Sequence, residues 1–494
     1  MKTLELLESL HLKQIYGHLP ECVNSIHQDS REVTNNSLFI CISGHKQDGH
    51  DYYHDAINNG ANIIVAEKQL EIDFNKSAFI LVPDTKRAMA QLINKFHNYP
   101  SSQMTLFGVT GTNGKTTVTT LIQKLLQRCG IKSALAGTNG FQVDNKKYYT
   151  ENTTSDVLTN QALLALSRDQ HVRKVVMEVS SHGLAQGRLW GIDYDIAVFT
   201  NLSQDHLDYH QTMEAYGYVK GLLFAQLGND MSKSKYAILN QDDPWSETYK
   251  MATSAEVITY GLHKNADFRA FAINYTINET TFTLEYPDPE GRVTIAINLL
   301  GEFNVYNTLA ALAALYADGN DIKTMIHFLP EISNITGRME KLVVNAPITM
   351  YVDYAHTPDA VEKCIKTVAP FKQKRIILVV GTGGERDREK RPLMAKKASH
   401  ADVVILTVND PRTEASDRII RDMEKGMLHD DYLLISDRKQ AIEQAIRISE
   451  PGDTIIFAGK GQENYQIIGE TKHPHNDALI ATEFANSKFQ RNTD

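Results

Sequence analysis

The feature that most constrains this chain is the segment Gly108-Val-Thr-Gly-Thr-Asn-Gly-Lys-Thr-Thr117. An apolar run from Met104 to Thr110 leads straight into it, and a helical pattern from Thr116 to about Cys129 follows. Glycines let the backbone curl so that successive N–H groups face one anion, and the helix dipole points at the same place. Lys115 is placed to bridge β- and γ-phosphates, and Thr116 to ligate Mg²⁺. The strict pattern has glycine where this chain has Val109, so the loop is a variant built on Gly108, Gly111 and Gly114. A glycine-rich turn with a surface lysine is the ordinary alternative. Gly-Lys-Thr-Thr between a strand and a helix is hard to obtain by accident, so ATP and Mg²⁺ are the expected ligands.

Three segments surround this loop. The first, residues 1–100, holds short apolar strands at Ser37–Ile42, Ala61–Ala66 and Ala78–Val82 and a helix near Lys86–Phe96. The turn-rich Asn98-Tyr-Pro-Ser-Ser102 reads as a linker. The second, residues 101–336, adds strands at Lys174–Val179, Ile196–Thr200 and Tyr236–Leu239, an alternating patch over 266–299, and an alanine-rich helix from Asn304 to Tyr316. Strands alternating with helices imply a parallel sheet, and the alternating patch an antiparallel one. The third, residues 337–494, has strands at Thr349–Val352, Arg375–Val380, Val403–Thr407 and Thr454–Phe457. The expected fold is α/β with three domains: a central P-loop-type ATPase sheet between an N-terminal α/β domain and a C-terminal, Rossmann-like α/β domain.

Bulk properties narrow the function further. A length of 494 residues allows more than one core, and a net charge of −9 argues against a dedicated nucleic-acid binder. No apolar stretch reaches the roughly 18 residues of a membrane helix, and Met1 to Leu12 lacks the layout of a signal peptide. A cytoplasmic protein is expected. Cys22, Cys41, Cys129 and Cys364 show no metal spacing and are expected to be reduced, buried thiols.

Chemistry beyond the loop gathers at strand ends. Glu178, in Val175-Val-Met-Glu-Val-Ser-Ser-His-Gly183, closes a strand, where ligands collect in open α/β sheets, and suits Mg²⁺ held by a nucleotide. Asp205, His206, Asp208 and His210 follow another strand and offer a second metal ligand without showing which. Lys220 has nothing in its own surroundings to separate it from a surface lysine.

Four motifs together resemble the Mur ligases: Gly111-Thr-Asn-Gly-Lys-Thr-Thr117, Glu178-Val-Ser-Ser-His-Gly183, Asn201-Leu-Ser-Gln-Asp-His-Leu-Asp208 and Asp353-Tyr-Ala-His-Thr-Pro-Asp359. The resemblance runs from Asp29 to Asp477. It implies an ATP-dependent ligase that adds the third residue of the peptidoglycan stem peptide to a UDP-linked muramoyl dipeptide, acting as a monomer. It implies that Ser30 meets the uridine diphosphate end. Asn152, Thr153, Thr154, Ser180, Gln186 and Arg188 would hold the muramoyl dipeptide, although Ser155 stands where the family often has proline. Gly111, Thr112, Asn113, Gly114, Lys115, Thr116 and Thr117, with Asn304, Arg338 and Asp353, would contact ATP, and His356 lies beside them. Lys115, Glu178, His206 and Lys220 would be catalytic, with Lys220 carbamylated. Thr116, Glu178, His206 and the Lys220 carbamate would hold Mg²⁺.

The third segment is expected to choose the amine. Arg391 and Arg412 can hold the distal carboxylate of meso-diaminopimelate, and Glu463 an amine, with Asn409, Asp410 and Gly459 around them. Diaminopimelate enzymes of the family carry Asp-Asn-Pro-Arg where this chain has Asn409-Asp-Pro-Arg412. An acid at 410 beside a carboxylate ligand is unfavourable unless an arginine screens it, which leaves L-lysine or another diamine open. A folylpolyglutamate synthase would lack the Asp29-Ser30-Arg31 segment. A non-catalytic nucleotide-binding regulator would be free to lose Lys115, Glu178, His206 and Lys220, and a signalling or mechanical P-loop NTPase would not need the third segment.

Overall fold

The computed structural model describes residues 1–44, 47–144, 146–230, 232–288 and 291–490. The chain divides into two compact units, Met1–Gly108 with Ile131–Asp195, and Val109–Gly130 with Ile196–Asp494.

The first unit opens with β1 (Gln14–Tyr16), β2 (Ser25–His27), β3 (Ser37–Ile40), β4 (Ala61–Ala66) and β5 (Ala78–Leu81) in the order β1-β5-β4-β3-β2. Only β1 runs antiparallel to its neighbour. Side chains alternate across this sheet as a period of two requires. Leu38, Ile40, Ile63 and Ile80 face a core shared with Leu92 and Ile93 of the helix Thr85–Phe96, while Phe39, Ile64 and Phe79 pack on the other face. That helix starts where the Asp84 carboxylate accepts from the Arg87 N–H. The strand β6 (Thr105–Thr110) carries the chain onward. The first unit is completed by β7 (Ser133–Gly137), β8 (Gly140–Val143), β9 (Lys146–Tyr148) and β10 (Lys174–Glu178), with β10 parallel to β7 and β7-β8-β9 antiparallel.

In the second unit β11 (Ile196–Phe199), β12 (Tyr236–Asn240) and β13 (Glu256–Gly261) are parallel. They continue into β14 (Phe268–Tyr275), β15 (Thr280–Glu285) and β16 (Arg292–Ile297), an antiparallel meander over the residues whose alternation predicts one. A further sheet is formed by β17 (Glu340–Lys341), β18 (Thr349–Asp353), β19 (Ile376–Thr382), β20 (Val403–Val408), β21 (Tyr432–Leu434) and β22 (Thr454–Ala458), ordered β17-β18-β22-β19-β20-β21. Helix Pro358–Val368 covers one face through Val361 and Ile365. Helices Arg438–Ile448 and Asp477–Gln490 cover the other through Ile442 and Ala481. The hairpin β23 (Tyr465–Ile468) and β24 (Thr471–Pro474) follows.

Several strands escape sequence reading for physical reasons. The run Ser133-Ala-Leu-Ala-Gly137 is wholly buried yet made of small residues without β-branching. β1, β2, β9, β21, β23 and β24 are short, with mixed or exposed faces. The cysteines are free thiols, as expected, but Cys22 is exposed and Cys129 only partly buried. Among the described residues, no helix is long and apolar enough to cross a membrane.

Candidate active site

The phosphate loop leaves the end of β6 and is braced by the residues that follow β11. Thr200 Oγ1 donates to the Asn113 carbonyl at 2.6 Å, and the Asn201 side chain accepts from the Asn113 N–H at 3.1 Å. Gly111 has φ +144°, and a Cβ there would lie 1.9 Å from Thr200 Oγ1. Gly114 has φ +91° at the start of helix Lys115–Arg128, where a Cβ would lie 2.5 Å from Asn307 Oδ1. Larger residues at either position require the loop or its brace to move.

Two lysines converge on this loop. Lys115 Nζ donates to the Gly111 and Thr112 carbonyls at 2.9 Å, and Lys220 Nζ donates to the same Gly111 carbonyl at 2.9 Å. Lys220 is 1% exposed and stands 4.5 Å from the centre of the Tyr216 ring. Burial first, and the neighbouring Lys115 charge second, push the Lys220 ammonium well below the usual lysine range. A neutral amine is the form of lysine that reacts with CO₂. The helix pattern alone does not show this burial.

A cleft of about 520 Å³ opens beside the loop, lined by Asn113, Gly114, Thr117, Tyr306, Arg338 and Lys363 among others. Its size suits a nucleoside. Arg338 Nη2 donates to Thr116 Oγ1 at 2.8 Å, and its guanidinium stands 4.7 Å from the centre of the Tyr354 ring. Asp353 accepts from the Met339 and Ala355 N–H groups at 2.6 and 2.7 Å, and burial pushes its carboxyl up. Asn304 is turned into its own helix, donating to the Leu300 carbonyl and accepting from Asn307.

In the first unit Glu178, 2% exposed, accepts from the Thr138 N–H and hydroxyl at 3.0 and 3.1 Å. Thr154 Oγ1 donates to the Glu178 carbonyl and accepts from the Ser180 N–H. Arg188 donates twice to the Gln186 side-chain oxygen Oε1, and to the Thr154 backbone carbonyl at 2.9 Å. Thr153 meets Thr138 at 3.2 Å, and Asn152 is exposed. Ser30 is 8% exposed beside Asp29, whose carboxyl the Arg31 guanidinium holds down at about 2.

The loops after β19, β20 and β22 form a third cluster. Arg391 is fully buried and donates to both Glu414 oxygens at 2.9 and 2.7 Å, to Asp422 at 3.2 Å and to the Gly383 carbonyl. Arg412 is half-buried, with Nη1 donating to the Gly384 carbonyl at 2.9 Å. Asp410 accepts from the buried Lys460 ammonium at 3.0 Å and from the Ile467 N–H at 2.8 Å. Lys460 also donates to Glu463, which takes the Tyr354 hydroxyl. Asn409 accepts from Arg438, and a Cβ on Gly459 would lie 2.4 Å from the Asn409 side chain.

With this geometry in place, comparison with known proteins identifies the family. Descriptions of the Mur ligase family catalytic domain, the Mur ligase middle domain and the Mur ligase glutamate ligase domain match residues 23–97, 109–315 and 337–461. The UDP-N-acetylmuramyl-tripeptide synthetase 2 of Oceanobacillus iheyensis is 51% identical over 99% of each chain. This chain belongs to the Mur ligase family. It has that family's three-domain α/β fold: a solved structure of a UDP-N-acetylmuramoyl-L-alanyl-D-glutamate–2,6-diaminopimelate ligase superposes with a TM-score of 0.68 over 99% of both chains at 32% identity. The UDP-N-acetylmuramoyl-L-alanyl-D-glutamate–L-lysine ligase of Staphylococcus haemolyticus is 39% identical over 99% of each chain.

For a Mur ligase the placements divide in two. Lys115, Thr116, Lys220 and Arg338 meet at one loop, and Glu178, Thr153, Thr154, Ser180, Gln186 and Arg188 form one hydrogen-bonded group in the first unit. Arg391 through its two terminal nitrogens, Asn409 through Oδ1 and Asp410 through Oδ1 each pair with other side chains. Among the described residues no three His, Cys, Asp or Glu side chains form a metal cluster by themselves. The donors present suit Mg²⁺ that takes phosphate oxygens as well, since Mg²⁺ is usually held by one or two carboxylates plus substrate phosphates. Sequence reading passes over Lys460 and Lys390. The signal for Lys460 is the acid at Asp410, partly buried in the structure, which calls for a cation nearby.

Proposed function

We propose that this Mur ligase adds meso-diaminopimelate to UDP-N-acetylmuramoyl-L-alanyl-D-glutamate. The enzyme is an ATP-dependent ligase, and the chemistry follows from that. The glutamate side-chain carboxylate attacks the γ-phosphorus, ADP leaves, and an acyl phosphate forms. The amine then attacks the acyl carbon and phosphate departs, leaving an amide. Phosphoryl transfer of this kind is mostly positioning and charge neutralisation.

The backbone of Gly111–Thr117 and the Lys115 ammonium hold the phosphates, and the cleft beside them takes the nucleoside. Mg²⁺, when bound, neutralises phosphate charge. Thr116, Glu178, His206 and a carbamate on Lys220 are the residues we assign to it. Ser30 is assigned to the uridine diphosphate, and the group around Thr154 and Arg188 to the muramoyl dipeptide. Residues 1–100, 101–336 and 337–494 are assigned as the three domains. The protein is proposed to work as a cytoplasmic monomer.

The observation that carries the choice of amine is the Asp410–Lys460 pair. Lys460, shared with Glu463, screens the acid that stands where diaminopimelate enzymes have asparagine, which weakens the repulsion of a distal carboxylate by Asp410. Arg412 supplies the guanidinium for that carboxylate, and Arg391 is assigned to holding the loop through Glu414. Glu463 is assigned to the amine, with Asn409 and Gly459 shaping the pocket. The acid at 410 favours L-lysine as the second reading. Mass spectrometry of the product from an equimolar mixture of the two amines separates them: a diaminopimelate product is expected, and a lysine product would reject the Arg412 argument.

A further inference from the structure

Asp205 has no role in the chemistry above, yet it is the hub of a buried charge cluster within the second unit. Its side chain is 4% exposed. Oδ1 accepts from Lys390 Nζ at 3.0 Å and from the His206 N–H at 3.0 Å. Oδ2 lies 3.3 Å from His206 Nε2 and 3.4 Å from His356 Nε2. Asp205 and His206 belong to the loop after β11, His356 to the loop after β18, and Lys390 opens the helix Lys390–Ala398 after β19. One carboxylate therefore joins three loops that are far apart in sequence.

Two further observations show that the join is under constraint. His206 has φ +55° and ψ 26°, a left-handed conformation that a non-glycine residue keeps only where its surroundings hold it. Lys390, 7% exposed, is a buried cation paired with Asp205. Removing either partner strands the other ion out of water, which is strongly unfavourable. Lys390 is also the neighbour of Arg391, whose guanidinium is locked by Glu414. The amine-binding loops and the His206 loop are thus connected through a short rigid path.

We propose that Asp205 and Lys390 are positioning residues of the ligase, an ion pair that sets the His206 imidazole for metal binding and registers the amine-binding loops against it. The inference rests on the assignment of His206 to the metal. It acts as carboxylate partners of metal-bound histidines do, by fixing ring orientation from outside the coordination shell.

The test uses the full-length protein with Lys390→Met, Asp205→Asn, the double variant and Lys390→Arg. Mn²⁺ affinity is read by electron paramagnetic resonance in the ADP complex. ADP release is measured with whichever amine the unmodified protein turns over fastest, so a wrong amino acid leaves the test intact. Each single variant is expected to weaken Mn²⁺ binding by about tenfold or more. Each is expected to lower kcat by about tenfold, with KM for ATP changed by less than about threefold. The double variant should be no worse than the worse single, because the two residues act as one unit. Lys390→Arg should restore at least about half of kcat, because it keeps the charge. Mn²⁺ affinity and kcat within about twofold of the unmodified protein, or losses that multiply in the double variant, would overturn the proposal. If a single variant does not fold, the double variant, which strands no charge, is judged by the same two readouts. An unmodified protein that releases no ADP with any amine would reject the proposed ligation, while the Mn²⁺ titration would still decide the role of the ion pair.

Discussion

The phosphate loop and the loops proposed to bind the amine both leave the C-terminal ends of strands, and both carry conspicuous charge. They differ in which part of the chain makes the site. At Gly111–Thr117 the backbone does, and glycines mark it because a Cβ at Gly111 or Gly114 collides with Thr200 or Asn307. Around Arg391, Asp410 and Glu463 side chains do, and most of them hold one another. A glycine pattern therefore announces its own use. A pair of arginines does not, because Arg391 is locked in a buried ion network while Arg412 keeps part of its guanidinium exposed.

Variants sharpen that contrast, beginning with the largest expected effect. Lys115→Met removes the side-chain charge from the phosphate site and is expected to lower kcat for ADP release by about a thousandfold. Lys220→Ala is expected to cost about a hundredfold or more, partly restored by added short carboxylates, because the carbamate proposed at 220 supplies an oxygen ligand. Full activity in Lys220→Ala would exclude that role.

The two arginines should separate cleanly. Arg391→Ala removes the buried guanidinium that holds both Glu414 oxygens, leaving only the more exposed Arg388 and Arg418 beside them, and is expected to lower stability by about 3 kcal/mol in urea unfolding. Arg412→Ala should change stability by less than about 1 kcal/mol and raise KM for diaminopimelate by about tenfold. The reverse pattern would exchange their roles. Asp410→Asn should have the smallest effect, about threefold in KM, because Lys460 already screens the acid.

The ion network also fixes a pH dependence. Arg391, with Arg388 beside it, holds the Glu414 carboxyl down at about 2. A depressed carboxyl contributes stability above its unfolded value of about 4.3, and that contribution is lost as pH falls toward 2. Acid unfolding followed from pH 5 downward should show this loss, and Glu414→Gln should flatten the profile over the same range.

How much of this was legible in the sequence follows from the same contrast. The strands around 37–66, 174–200, 349–380 and 454 are read because they are dense in Val, Ile, Leu and Phe, and the meander over 268–297 because it alternates. The strand Ser133–Gly137 is missed because alanine and glycine give no β signal, although burial is complete. Lys115 and Thr116 are found by local pattern. Lys220 is invisible to local pattern because its partner, the Gly111 carbonyl, lies 109 residues away. Lys390 is missed for the same reason, since Asp205 is 185 residues distant. Long-range charge pairing is a property of topology, and spacing along one helix or loop carries no trace of it.

The most direct measurement is ADP release with UDP-N-acetylmuramoyl-L-alanyl-D-glutamate, ATP and Mg²⁺, run in parallel with meso-diaminopimelate, L-lysine and L-ornithine. Release with diaminopimelate and little with the other two is the expected result. Turnover with lysine alone would keep the ligase and reject the reading of Asp410, Lys460 and Arg412, and no release with any amine would contradict the proposed substrate.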